Sequence, residues 1–207
     1  MRITGLRPQK RGKKRLSVFV DGAFAFSLDK ETVARFRLKE GKNVTAQFLE
    51  EVVLDEQYRQ CRDYAFLLLS YRARSRKELT ERLKKKGYSE KIIERVMNRL
   101  IELGLIDDER LARDFVESRI KVGHKGKWRV RAELLKLGIP KEMVEREIKA
   151  APDEVAAAEM VVEHYLPRYR NLDPKTRKRR LIGLLARRGF SPETIARVLK
   201  AELGLNE

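Results

Sequence analysis

Two periods of apolar spacing divide this chain. Between Leu16 and Leu28 hydrophobic side chains take alternate positions, with Leu16, Val18 and Val20 before Asp21-Gly22 and Phe24, Phe26 and Leu28 after it. Alternation around an Asp-Gly pair predicts two antiparallel strands closed by a tight turn whose residues take positive φ. Arg2 to Leu6 can widen this β-hairpin to three strands. Asp29 is placed to cap a short helix through Phe36, and Gly41-Lys42-Asn43 stops it.

From Thr45 onward the spacing becomes helical. Ser75 followed by Glu78 is a capping box, Leu79 and Leu83 share a helix face, and Gly87 stands where a left-handed residue ends a helix. Ser89 opens the next helix, with Ile92, Ile93, Val96, Met97 and Leu100 at helical spacing before Gly104. The same order recurs with Val130, Leu134 and Gly138 and with Leu181, Leu185 and Gly189, the three glycines lying 51 residues apart. In the same register stand Ile93, Val144 and Ile195, then Met97, Ile148 and Leu199, and upstream Tyr64, Phe115 and Leu166. Six aligned positions without an insertion predict three copies of one three-helix unit. The helices are expected over 56–71, 75–86 and 89–103, over 108–122, 127–137 and 141–150, and over 153–168, 174–188 and 192–203. Pro140, Pro152, Pro174 and Pro192 fall at their starts, where a missing N–H costs nothing.

The expected fold is therefore mainly α, with three tandem three-helix repeats in an elongated curved stack and a small N-terminal β-hairpin extension. The boundaries read as 1–44 for the hairpin and short helix, 45–104 and 105–151 for the first two repeats, and 152–207 for the third.

Composition narrows the function. A hydrophobic fraction of 42% supports real cores, and 48 Lys+Arg against 31 Asp+Glu leave a formal charge of +17. Such a field favours acidic partners, nucleic acid being the commonest. No apolar leader follows Met1 and no run suits a membrane span, so a soluble cytoplasmic protein is expected. No nucleotide-binding glycine loop, metalloprotease, nucleophile-elbow or paired-cysteine motif is present, so neither catalytic residues, cofactor nor metal is expected. Cys61 reads as a small buried hydrophobe, His124 and His164 as surface or packing residues, and Asp107-Asp108 as a helix cap.

The cations cluster. Arg72, Arg74, Arg76 and Lys77 lead into one helix that Lys84, Lys85 and Lys86 close; Lys121, Lys125, Lys127, Arg129 and Arg131 surround the single tryptophan, Trp128; and Arg177, Lys178, Arg179 and Arg180 open a helix that ends with Arg187 and Arg188. The shared offset sets these at equivalent places on each copy's second helix. Late lysines suit a helix C-terminus, but cations at helix starts oppose the dipole, which favours a functional basic stripe over ordinary solvated faces. The candidate binding set is Arg72, Arg74, Arg76, Lys77, Lys84, Lys125, Lys127, Trp128, Arg129, Arg131, Arg177, Lys178 and Arg180. For Trp128 core packing is the leading expectation, with base stacking or a partner patch as alternatives. Reversing Arg76, Lys127 and Arg177 together should abolish binding and spare the fold. Arg7, Lys10, Arg11, Lys13, Lys14 and Arg15 form a further group, expected in a mobile loop before the hairpin.

These residues resemble the RecX family. The similarity is carried by Ser75-Arg76-Lys77-Glu78-Leu79, Leu83 with Gly87, Leu100 to Gly104-Leu105-Ile106-Asp107-Asp108, Ala112, Phe115, Gly126, and Leu134 to Gly138-Ile139, and it weakens across Ala150 to Arg170, where Pro167 takes a helical position. The resemblance implies an elongated helical regulator that lies in the groove of the RecA–DNA filament and suppresses strand exchange and ATP hydrolysis, and alternating charge without long apolar faces points to a monomer. The hairpin is similar to an extension found in part of the family. A direct binder of single- or double-stranded DNA, built on helix-turn-helix-like units, is the alternative, although no helix presents a clear base-reading set.

Overall fold

The computed structural model describes residues 1–9 and 12–203, and Lys10 and Arg11 of the basic group lie outside them. Three strands come first: β1 (Ile3–Gln9), β2 (Gly12–Val20) and β3 (Ala23–Asp29), joined as an antiparallel sheet of order β1-β2-β3. Asp21 and Gly22 take φ of 48° and 86°, the positive pair that the Asp-Gly turn requires. Among the described residues ten α-helices follow: α1 (Lys30–Arg35), α2 (Ala46–Tyr71), α3 (Arg76–Lys85), α4 (Glu90–Glu102), α5 (Asp108–Lys121), α6 (Lys127–Lys136), α7 (Lys141–Ala150), α8 (Val155–Tyr165), α9 (Pro174–Arg188) and α10 (Pro192–Leu203). A 3-10 turn at Leu166–Tyr169 extends α8, and Pro167 within it accounts for the loss of α-helical pairing there.

The chain divides into two compact units, Met1–Arg72 with Leu79–Leu105 and Ala73–Glu78 with Ile106–Glu207. In the first, Ile3, Val18, Val20 and Leu28 of the sheet form a core with Val33 of α1 and Leu49 and Val52 of α2. Helix α2 is longer than its copies because its first turns cover this sheet; it starts at Ala46, not near residue 56, with Thr45 Oγ1 accepting from Phe48 N–H. Arg59 of α2, only 7% exposed, ties helix to sheet by ion pairs with Asp29 and Glu31. Asp29 thus stands at the N-cap of α1 but makes no cap bond with its side chain, which serves Arg59 instead.

In the second unit α5 to α10 enclose one core, containing Val130, Leu134, Val144, Ile148, Leu181, Leu185 and Leu199. These are the aligned positions of copies two and three. Leu79, Leu83, Ile93 and Met97 of copy one are equally buried, while Tyr64, Phe115 and Leu166 are half-buried.

The repeat extends to backbone hydrogen bonds. Leu83, Leu134 and Leu185 each accept through the carbonyl from Tyr88, Ile139 and Phe190, and the intervening Gly87, Gly138 and Gly189 have φ of 95°, 80° and 84°. Two expectations change. Pro174 and Pro192 begin α9 and α10, but Pro152 lies ahead of α8, which starts only at Val155. The cations Arg7, Lys13, Lys14 and Arg15 belong to β1 and β2 and not to a loop before them, since the antiparallel ladder runs on through Arg7 opposite Ser17, Pro8 opposite Leu16 and Gln9 opposite Gly12.

Candidate partner-binding surface

Ser75 Oγ accepts from Glu78 N–H at 3.1 Å, which starts α3, and Arg74, buried beside it, pairs with the Glu78 carboxylate. The hydroxyl of Ser75 also donates to the Leu137 carbonyl, at the end of α6. Arg76 N–H is taken by the Asp108 carboxylate at 2.8 Å. Of the two aspartates, then, Asp107 caps its own helix by accepting from Arg110 N–H at 2.9 Å, whereas Asp108 caps another.

The same junction is built again 51 residues on. Gly126 N–H donates to the Arg188 carbonyl at 3.0 Å and Trp128 N–H to the Gly189 carbonyl at 3.1 Å, so the start of α6 rests on the end of α9. Gly126 corresponds to Ser75 and Arg188 to Leu137. A Cβ on Gly126 would lie 2.1 Å from Gly189 backbone atoms, so only glycine permits this approach. Lys127 N–H is taken at 2.5 Å by Glu154, which is 4% exposed and also accepts from Ser191 N–H and Thr194 Oγ1–H at 3.1 and 2.9 Å. One buried carboxylate therefore ends two helices, α6 and α10. Sequence reading missed it, since the only signal was an acid just before a helix.

This construction supplies a physical reason for cations at a helix start. The carbonyl-rich end of α9 faces the N-terminal turn of α6 and opposes the dipole there. Several of the thirteen candidates are accordingly engaged within the chain. Lys125 makes two bonds to Glu133 at 2.8 and 3.0 Å, and Arg129 reaches the same carboxylate at 3.0 Å. Burial opposes the charge of Glu133, yet these hydrogen bonds win and hold its carboxyl below the ordinary range. Lys127 Nζ donates to the Ala151 carbonyl at 2.9 Å, and Arg131 pairs with Glu145. Arg177 is half-buried and donates to the carbonyls of Tyr169, Arg170 and Leu172. Reversing Arg76, Lys127 and Arg177 is therefore expected to perturb the fold as well as any binding, because Lys127 and Arg177 donate to backbone carbonyls.

The others face outward. Arg72, Arg76, Lys77, Lys178 and Arg180 are exposed, as is Lys84 in its pair with Glu90. Among the described residues Lys77, Lys178, Arg179 and Arg180 make no ion pair. Trp128 is 56% exposed, which corrects the expectation of core packing: its backbone belongs to the junction and its ring does not. In the repeat register Lys77, Trp128 and Arg179 coincide.

Among the described residues no group of His, Cys, Asp and Glu could hold a metal ion, and no helix is long and apolar enough to cross a membrane. Cys61 is fully buried, and burial pushes its thiol up to about 12. His124 and His164 line one cavity of about 520 Å³ with Arg188 and Tyr165, and the His164 ring packs on Tyr165 at 4.9 Å.

Four family models match in tandem: the RecX N-terminal domain over residues 1–45, and the first, second and third RecX three-helix domains over 61–100, 107–146 and 152–199. The chain is 31% identical to the regulatory protein RecX of Geobacillus sp. (strain WCH70), over 97% of this chain and 76% of that one. It is 29% identical to the regulatory protein RecX of Clostridium acetobutylicum, over 96% of this chain and 94% of that one. A crystal structure of regulatory protein RecX shares the fold with a TM-score of 0.67 at 24% identity, over 95% of this chain and 98% of its own. Matches along the whole chain, in the order its own repeat sets, show that it belongs to the RecX family of regulatory proteins.

Proposed function

We propose that this chain binds a RecA–DNA filament in the cytoplasm, as a monomer, and inhibits strand exchange and ATP hydrolysis by occupying the filament groove, without catalysing a reaction itself. The observation that carries the reading is the junction repeated 51 residues apart, which places Lys77 and Trp128 at the second position of α3 and α6, with Arg179 exposed at the same register position in the second turn of α9. A filament offers one site per subunit, and a ligand with recurring contacts in a fixed register gains by effective concentration even where each contact is weak. Blocking a groove needs shape and charge, not a nucleophile or a metal. The segments 1–44, 45–104, 105–151 and 152–207 are proposed as its working modules, with the third repeat a terminal cap.

The outward cations carry the proposed contact, and the inward ones hold the surface that presents them. The deciding measurement is the DNA-dependent ATPase of the cognate recombinase with and without this protein. Inhibition is expected, and the combined Lys178→Glu, Arg179→Glu and Arg180→Glu variant should inhibit less while melting at an unchanged temperature. No inhibition by the unaltered protein at saturation sinks the reading. Steep salt-dependent binding to bare DNA with no effect on the ATPase would favour the direct DNA-binding alternative.

A further inference from the structure

The N-terminal sheet has a second face that its core does not use. Ile3, Val18, Val20 and Leu28 point into the core, so the pleat sends their neighbours the other way. The register sets Gly5 opposite Phe19, Arg7 opposite Ser17, Ser17 opposite Ser27, and Phe19 opposite Phe24 across an irregularity in the ladder. Phe24 is 59% exposed, and its ring meets that of Phe19 edge-on at 6.0 Å. The Arg7 guanidinium lies over the Phe19 ring at 4.9 Å from its centroid. Gly5 stands opposite, and the Phe19 side chain lies against it, its ring 3.5 Å from where a Cβ would stand. Beside the rings runs a polar row in which the Gln9 amide donates to Ser27 Oγ at 2.7 Å.

We infer that this face is a stacking platform for single-stranded nucleic acid, with the exposed Phe24 ring receiving an unpaired base, Phe19 backing it edge-on, and Arg7 neutralising phosphate. Exposed rings on a sheet suit any base, because every base has a π-face, while a flanking arginine and hydroxyl row suit a polar, anionic chain better than an apolar protein partner. Charge agrees, since the segment Arg7 to Arg15 contains six cations and no acid. A duplex keeps its base faces inside the stack and gains only the charge. The sheet belongs to a different part of the chain from the repeated junctions, so this inference goes beyond the filament reading and does not depend on it.

The test uses the full chain and fluorescence anisotropy with a labelled oligo-dT and a duplex of equal length, each at low and moderate salt. Phe24→Ala and Phe24→Leu should weaken oligo-dT binding about tenfold and duplex binding less than about twofold, while Phe24→Tyr stays within about twofold of the unaltered protein. Arg7→Ala should weaken both and lower the salt slope by about one. Should Phe24→Ala melt early, Phe24→Leu decides, since it keeps an apolar contact with Phe19 and lacks a ring. Unchanged oligo-dT binding by the Phe24 variants, equal losses on duplex, or no binding by the unaltered protein would each overturn the inference, and the first would point to a protein contact instead. Inhibition of the recombinase ATPase is read separately, so failure here is distinct from failure there.

Discussion

Removing the Glu154 carboxylate should loosen the second unit far more than the loss of an ordinary helix cap. The group is 4% exposed and receives three hydrogen bonds, from Lys127 N–H at 2.5 Å, Thr194 Oγ1–H at 2.9 Å and Ser191 N–H at 3.1 Å. A bond to a charged acceptor contributes about 1.5–3 kcal/mol net, and a buried donor left without a partner costs about 1–3 kcal/mol. Glu154→Ala strands two backbone N–H groups. Thr194 Oγ1 still has the Ser191 hydroxyl at 3.0 Å. The loss should therefore be about 3–5 kcal/mol, against about 1 kcal/mol for Asp108→Ala at an exposed cap. Glu154→Gln keeps the shape but turns an NH2 toward a donor, and should cost about 2 kcal/mol. The assay is equilibrium urea unfolding followed by emission of Trp128, the single tryptophan, which adjoins Lys127 on α6. With a slope of about 1–3 kcal/mol/M, Glu154→Ala should lower the midpoint by at least about 1 M. A loss below about 1 kcal/mol would refute the claim that this carboxylate joins α6 to α10.

The same assay separates two glycines. Gly87→Ala meets no atom within 4 Å but sits at φ of 95°, so it should cost about 1–2 kcal/mol of left-handed strain, whereas Gly126→Ala drives a methyl into Gly189 backbone and should cost more and shift the Trp128 emission maximum. Equal costs would show that the close approach is not what selects glycine at 126. Cys61, buried with its thiol raised to about 12, should resist a thiol reagent in the folded protein and react fully in urea; rapid native labelling would contradict the burial. For Glu133 the folded carboxyl titrates below its unfolded value because Lys125 and Arg129 outweigh desolvation. Its stabilising contribution is thus present above the usual glutamate range, near about pH 4.3, and is lost as pH falls through the lower folded value. Lys125→Met should flatten acid unfolding in that window, and an unaltered acid limb would refute the assignment.

Much of the fold was legible because helix ends are local. Gly87, Gly138 and Gly189, Ser75 and Asp107 act within a turn of where they stand, so their spacing announced the repeat before any packing was known. What escaped were side chains that act across the chain. Asp29 looks like a cap and serves Arg59; Asp108 looks like part of a cap and serves Arg76, 32 residues away; Glu154 showed only an acid just before a helix and serves Lys127, Ser191 and Thr194. Trp128 misled for the opposite reason, since a lone tryptophan suggests burial, yet its backbone and not its ring makes the junction. The basic set was found as a list and not sorted by direction, because sequence cannot separate a lysine that donates to the Ala151 carbonyl from one that faces solvent.

That separation bears on how the surface evolved its charge. Near the starts of α6 and α9, inward and outward cations stand within about one turn of each other. At α6, Lys127 turns inward to the Ala151 carbonyl while Trp128 and Arg129 remain exposed; at α9, Arg177 turns inward to three carbonyls while Lys178, Arg179 and Arg180 remain exposed. An inward cation holds the turn in place, and the outward group one or two positions later is presented from it. Neutralising an inward residue should therefore lower stability and binding together, with the binding loss recovered when the fold is restored by a ligand or by cooling. Neutralising an outward residue should lower binding alone. On the proposed reading, position within a helical turn, as well as total charge, sets which of these cations can meet an acidic partner.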